Sequence, residues 1–460
     1  MINKDLRNFL FLYFSCSILL VGTGLVVPYW YDDVCHSLVV YQLYMNGVWG
    51  YPLEYPQILH YDLHSTIISV GPVLHYLATG FCKIFGWSFE HLRIFISIIN
   101  AFLPCATYHF AKTFFNPKSA FFSAILLIIN LQFLVYGSQY LGEVFLFHLL
   151  FWGIYFQLIA LKNSQNTYFI VSQIFFYAAI LTKEYIALPL GLYLFFAWLF
   201  YTYKTKKFFN PLFIQGIMLP LISFFYYFYH FDNLQDFLSY WEIKRDYQAE
   251  FLSWSLQPLY FVLKKPLILF GFSLILLKIS IKKNDVDIFI GIFQLVLLFF
   301  FLLSKGFDRF GFLLIPLSCL YCAEWLPFFW NFITKKSYQL IFFMFLGLFI
   351  VQNTINPLYW FNQYQKKNQL IELARKIDNT GIEIFFTYEL EIIPYLKRSQ
   401  IQTTSIPPVS HLRIKNKIQE PFFFVGPYAQ TEYQNTWNYQ DYKIIWSFGD
   451  YQLLRFQGQK

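Results

Sequence analysis

Two carboxylates stand side by side where the first long apolar run of the chain stops: Trp30-Tyr31-Asp32-Asp33 follows residues 8–29, which carry no charged side chain. Such a pair at the edge of an apolar segment is costly unless it is solvated or used. One use is general base work, because a partly desolvated carboxylate beside another acid gains proton affinity and can take a proton from a hydroxyl. The plainer role is a hydrated helix start, where an acid caps the first turn. Spacing alone does not say which of the two points into a cavity.

Glu143 is the next acid that could do chemistry. It follows the exposed-looking turn Tyr136 to Gly142 and opens another apolar run, a place the helix dipole favours for any carboxylate. With Asp32 and Asp33 it could hold a sugar, orient a nucleophile or share a divalent cation. Lys183 and Glu184 interrupt two apolar runs, and Lys305 and Arg309 bracket the tight turn Gly306-Phe307-Asp308. Cations at the outer surface of a membrane run against the usual orientation bias, and the natural anion there is a lipid phosphate. His60-Tyr61-Asp62-Leu63-His64 has histidines four apart, a spacing that suits zinc on a helix, but no third ligand is near. Hydrogen bonding of His60, Asp62 and His64 to a sugar or to a neighbouring helix is the favoured use. Trp241 and Arg245, in the stretch 232–257, mix aromatic and charged groups that suit carbohydrate contact or a membrane surface equally.

The elements that must position these residues are membrane spans. The chain has 460 residues, of which 57% are hydrophobic and 13% charged, with a mean hydropathy of +0.45; a soluble domain carries about 25% charged residues. Apolar runs long enough to span fall at about 8–28, 92–111, 119–136, 143–161, 167–182, 185–203, 211–231, 259–280, 286–304, 309–330 and 338–357. A further run, 66–87, carries Gly71, Pro72, His75 and Gly80 and can cross or lie along the surface. Leaving it uncrossed puts thirteen basic residues on short inner loops and nine on much longer outer ones, the bias that sets orientation. The reading is therefore eleven crossings with the N-terminus in the cytoplasm. It gathers Asp32, Asp33, Glu143, Lys183 and the Lys305–Arg309 turn on the outer face, in one pocket.

The domain reading is a transmembrane domain over 1–357, with juxtamembrane helices in its first outer loop (29–91), and a small extracytoplasmic α/β domain over 358–460. That tail holds 12 of the 34 basic residues. Its pattern predicts a helix over 363–378, strands at Ile382–Tyr388 and Pro421–Val425, and a hairpin pairing Tyr442–Phe448 with Tyr451–Phe456 through Gly449-Asp450. The basic residues are dispersed at run ends, which argues against nucleic acid as a partner. Six cysteines lie mostly inside apolar runs, giving neither a disulfide framework nor a thiolate metal site.

In order along the chain, Tyr31-Asp32-Asp33, Asn46-Gly47, Gly71-Pro72, Phe85-Gly86-Trp87, Arg93, Ser138 to Glu143, Lys183 and Asp308-Arg309 with Pro316 resemble the GT-C membrane glycosyltransferases. The nearest branch is the group of protein O-mannosyltransferases and lipid A aminoarabinose or galacturonosyl transferases. The likeness covers roughly residues 1–330, and Phe310 stands where a Tyr is common. It implies transfer of a sugar, with inversion, from a polyprenyl-phosphate donor to a lipid, glycan or protein acceptor at the extracytoplasmic face of a multi-pass protein of the bacterial inner membrane. Asp32 or Asp33 would deprotonate the acceptor, Glu143 would position acceptor or donor, and Lys183, Lys305 and Arg309 would hold the phosphate. No cofactor is demanded, and a divalent cation stays open. The rival readings are a lipid-linked glycan flippase, which would carry charges through the middle of spans, and a non-catalytic component of glycan assembly.

Overall fold

The computed structural model of the chain describes residues 4–47, 71–229, 265–282, 284–303, 308–332, 357–380, 386–387, 389–397, 422–426 and 442–456, with a few isolated positions between 230 and 264. Lys305 and the sugar-contact residues His60, Asp62, His64, Trp241 and Arg245 lie outside them, as does the eleventh apolar run.

The first ten apolar runs coincide with helices: α1 (Lys4–Val26), the continuous pair α4 (Phe89–Asn100) and α5 (Phe102–Phe114), α6 (Pro117–Ile128) with α7 (Leu131–Gly137), α8 (Glu143–Asn163), α9 (Asn166–Ile180), α10 (Ala187–Thr205), α11 (Pro211–Tyr229), α12 (Pro266–Lys282), α13 (Asp285–Leu303) and α14 (Ile315–Phe332). Among the described residues five helices are long and apolar enough to cross a membrane, or six if the pair bent by 63° between Ile128 and Leu131 is one span; four more are apolar but shorter. The ambiguous run 66–87 contains α3 (Pro72–Phe85), and α2 (Tyr31–Asn46) follows the first span.

The chain divides into two compact units: one of residues 1–23, 68–74 and 94–356, the other of residues 24–67, 75–93 and 357–460. The first unit is a helix bundle. Lipid offers no hydrophobic drive between helices, so small residues and buried polar groups hold them. A side chain at Gly153 would meet the Phe176 ring at 2.4 Å, bringing α8 and α9 close, and one at Gly271 would meet Ser318 at 2.4 Å between α12 and α14. Gln157 donates to Gln215 at 2.9 Å and accepts from the Tyr193 hydroxyl. Lys278 of α12 lies 2.7 Å from Glu324 of α14 and 3.0 Å from Asp287 of α13, and the Tyr321 hydroxyl donates to Asp287 at 2.9 Å.

The second unit packs the first-loop helices with the tail. α15 (Pro357–Asn379) leads to a sheet in which β1 (Phe386–Thr387) runs parallel to β2 (Phe422–Val425), while β4 (Tyr451–Phe456) pairs antiparallel with both β2 and β3 (Tyr442–Phe448), giving the order β1-β2-β4-β3. The expected hairpin turns at Gly449 with φ 57°, the left-handed conformation that favours glycine. Tyr29, Val34, Leu38 and Phe89 share one apolar core with Leu370, Leu373, Ala374, Ile377, Ile392, Ile393 and Leu453. The first-loop helix α2 and the tail are thus parts of one folded body, in which the tail from Pro357 onward is grouped with residues 24–67 and 75–93.

Candidate active site

Asp32 and Asp33 occupy the first turn of α2, where the helix dipole stabilises carboxylates. Pro28 ends the preceding segment and Trp30 enters extended, with φ −99° and ψ 159°. The two acids then part ways. Asp33 is fully buried, and its Oδ2 accepts from Arg93 Nε at 3.1 Å and Nη2 at 2.7 Å. Arg93 also donates from Nη1 to the carbonyls of Gly24 (2.8 Å) and Val27 (2.7 Å), and from Nη2 to that of Pro28 (2.8 Å). Those five bonds use all five guanidinium hydrogens. The Tyr29 ring covers the cation, its centroid 3.6 Å from Arg93 Cζ. Through Arg93, Asp33 is tied to the carbonyls of Gly24, Val27 and Pro28, and Asp32 is half-buried on the same turn. Both bonds from Arg93 fall on the same Asp33 oxygen, Oδ2.

In the first unit, Glu143 and Lys183 come together as a buried ion pair at 3.5 Å. Lys183 pairs with Glu143 from another helix of the bundle, and Glu184 opens the short 3₁₀ turn Glu184–Ile186. The turn before Glu143 is buried, contrary to its exposed look. Gly and polar residues mark it as a loop, but Tyr140 is wholly enclosed and donates its hydroxyl to the Leu74 carbonyl at 3.2 Å. Gly142 sits at φ 88°, and a side chain there would come within 3.1 Å of Lys183 Cε.

Lys183 is held from a second direction. Gly71 and Val73 donate their backbone N–H groups to the Thr182 and Leu181 carbonyls at 3.0 and 3.1 Å, a two-rung ladder at the entry of α3. A Cβ on Gly71 would lie 2.0 Å from the Leu181 oxygen, so this approach requires glycine. The one-turn helix Asp308–Gly311 reaches the same turn through Phe310, whose ring meets Tyr185 edge-on at 4.9 Å. The backbone of Arg309 thereby lies beside the Lys183 turn, while the Arg309 side chain is outside the described residues. Among the described residues no group of three or more His, Cys, Asp or Glu is arranged to hold a metal ion.

Sequence reading missed Arg93 as the partner of Asp33. A lone arginine near the outer end of an apolar run was the available signal, since a cation there needs a compensating group. The ladder at Gly71 had none beyond the Gly-Pro step itself.

Residues 69–229 match the family described as dolichyl-phosphate-mannose-protein mannosyltransferase. No curated protein matches the chain in sequence. In three dimensions it is similar to ArnT from Cupriavidus metallidurans bound to undecaprenyl phosphate, with a TM-score of 0.63 at 12% identity over 97% of each chain. The chain has the GT-C fold. The chain is also similar to the oligosaccharyltransferase AglB from Archaeoglobus fulgidus in complex with an inhibitory peptide and a dolichol-phosphate, with a TM-score of 0.55 at 12% identity, covering 91% of this chain and 69% of that one. A structure of the A. fulgidus enzyme with zinc and sulfate gives a TM-score of 0.50 at 14% identity, over 86% and 62%. The region matched by the family in sequence contains Gly71, Arg93, Glu143 and Lys183, four of the residues that build the two centres, and the fold expected for a membrane glycosyltransferase with a small α/β tail is the fold observed.

Proposed function

We propose that the protein transfers a sugar from a polyprenyl-phosphate donor to a hydroxyl-bearing lipid, glycan or protein acceptor at the extracytoplasmic face of the bacterial inner membrane. The observation that supports this reading is that Arg93 holds Asp33 on the first turn of α2; in the proposal Asp33 keeps that structural place and Asp32, beside it, is the base. The two similar structures with bound undecaprenyl phosphate and dolichol-phosphate support a donor of that class.

In this reading Asp32 takes the proton of the acceptor hydroxyl as its oxygen attacks the anomeric carbon from the side opposite the phosphate. The carbon–oxygen bond to phosphate breaks, its electron pair stays on the phosphate, and the configuration inverts. Lys183, with Lys305 and Arg309, neutralises the charge that grows on the leaving phosphate. Glu143 sets the position of Lys183 through their ion pair, and a phosphate leaves without acid assistance. His60, Asp62, His64, Trp241 and Arg245 are proposed to contact the sugar. Mass spectrometry of envelope glycans and glycoproteins from cells with and without the gene is expected to show one glycan form lost, naming sugar and acceptor together. Unchanged glycans would remove the proposal.

A further inference from the structure

The C-terminal segment meets the turn over residues 24–33, which carries the acidic pair, at three points. Tyr395 accepts a hydrogen bond from the Tyr29 backbone N–H at 3.3 Å, and its ring meets the Tyr29 ring at 5.6 Å. Tyr29 in turn covers Arg93, and Arg93 holds Asp33. Lys367 of α15 donates to the carbonyl of Leu25, next to the Gly24 carbonyl that Arg93 takes. The last carbonyls of a helix have no partner within it, so α1 ends on two cations, one from α4 and one from the tail. Leu370, Leu373, Ile377, Ile392 and Ile393 then bury Val34 and Leu38 of α2, two and six residues beyond Asp32.

We infer that the tail is a working part of the reaction centre: Tyr395 and Lys367 are positioning residues that hold the turn over residues 24–33, and with it the place of Asp32. Nothing in the transfer reaction itself calls for this dependence. It rests on the proposed role of Asp32, and predicts that disturbing residues far along the chain slows the chemical step without weakening donor binding. Burial explains why the route is stiff. Tyr29, Arg93, Asp33 and Val34 are all nearly or fully enclosed, and close-packed groups pass on a displacement instead of absorbing it.

The test uses the full-length protein in detergent or nanodiscs. Tyr395→Leu removes both the acceptor and the ring; Tyr395→Phe keeps the ring; Lys367→Met removes the tail's cap on α1 with little change in packing. Amide hydrogen exchange over residues 31–46 is read beside transfer kinetics. Tyr395→Leu is expected to speed exchange in that helix and to lower kcat on the order of 10- to 100-fold, the effect of misplacing a reacting group by about an ångström, with donor KM nearly unchanged. Tyr395→Phe is expected to recover kcat to within about fivefold of the parent, the worth of one weak hydrogen bond, and Lys367→Met to fall between. Unchanged exchange in both Tyr395→Leu and Lys367→Met overturns the inference; so does faster exchange with kcat intact, or a rise in KM alone. If the parent protein transfers no sugar from polyprenyl-phosphate donors, the proposed function falls, and the exchange data alone decide whether the tail holds that turn.

Discussion

Removing Arg93 is the sharpest perturbation of the turn over residues 24–33, and the structure sets its size. Arg93→Met leaves Asp33, with none of its surface exposed, without its cation, and strips donors from the carbonyls of Gly24, Val27 and Pro28. Breaking a buried pair by deleting one partner costs about 3–5 kcal/mol, because the remaining charge is stranded. In a domain of roughly 150–250 residues each kcal/mol moves the melting temperature by about 2–4 °C, so a fall on the order of 10 °C is expected. Arg93→Lys keeps the charge but has three donors for five bonds, and the two bonds lost to a charged donor are worth about 3 kcal/mol together. Arg93→Met combined with Asp33→Leu removes the stranded charge and is expected to regain at least half of the loss, though not all, since the three carbonyls stay unpaired. The assay is a thermal double-mutant cycle on the purified protein in detergent. Additive effects, or single substitutions within about 0.5 kcal/mol of the parent, would refute the reasoning, because close groups in one network must couple.

Three further outcomes follow from other sites. Gly71→Ala forces a Cβ to within 2.0 Å of the Leu181 oxygen, so the ladder that holds Lys183 opens and transfer is expected to fall at least about tenfold, whereas Gly80→Ala, with open space around it, is expected to be silent. Lys278→Met strands Asp287, which is fully buried, and Glu324; a loss of about 3–5 kcal/mol in thermal stability is expected, relieved when Asp287→Leu is added. Burial raises the phenols of Tyr29 and Tyr451 and pushes Tyr395 up to about 12 from an ordinary value of 10.0. A group whose folded pKa is raised contributes stability that is complete below its unfolded pKa and is lost as pH climbs through the folded one. Circular dichroism is therefore expected to show a flat baseline to about pH 10 and unfolding of the sheet-containing unit between about pH 10 and 12, and a sheet signal intact above that range would contradict the burial of these rings.

Local features were legible in the sequence because local rules decide them. Continuous apolar runs gave the helices, and alternation around Gly449-Asp450 gave the β3–β4 hairpin with its partners in register. The acidic pair was visible as a helix start, which it is. What decides its chemistry was not visible, because Arg93 lies sixty positions from Asp33 and no periodicity links them. The same holds for Lys183, which pairs with Glu143, forty positions earlier in the chain and on another helix. The stretch Tyr136 to Gly142 has the composition of an exposed turn, and only the apolar surroundings of Tyr140 and Leu141 bury it. The mid-span charge Glu324 is paired with Lys278, a contact with no counterpart in a hydropathy profile. The grouping of the tail with the first loop was equally hidden, since a shared core between residues 29–38 and 370–453 leaves no mark on either stretch alone.

The measurement that bears most directly on the account is single-turnover sugar transfer by Asp32→Asn beside Asp33→Asn, with the donor identified from the glycan comparison and with melting curves recorded on the same preparations. A general base contributes about 10²–10⁴-fold to rate, so Asp32→Asn is expected to lose transfer by that factor while melting like the parent, and Asp33→Asn to melt early. Transfer by Asp32→Asn within about threefold of the parent, far above what loss of a base allows, would contradict the assignment of that carboxylate.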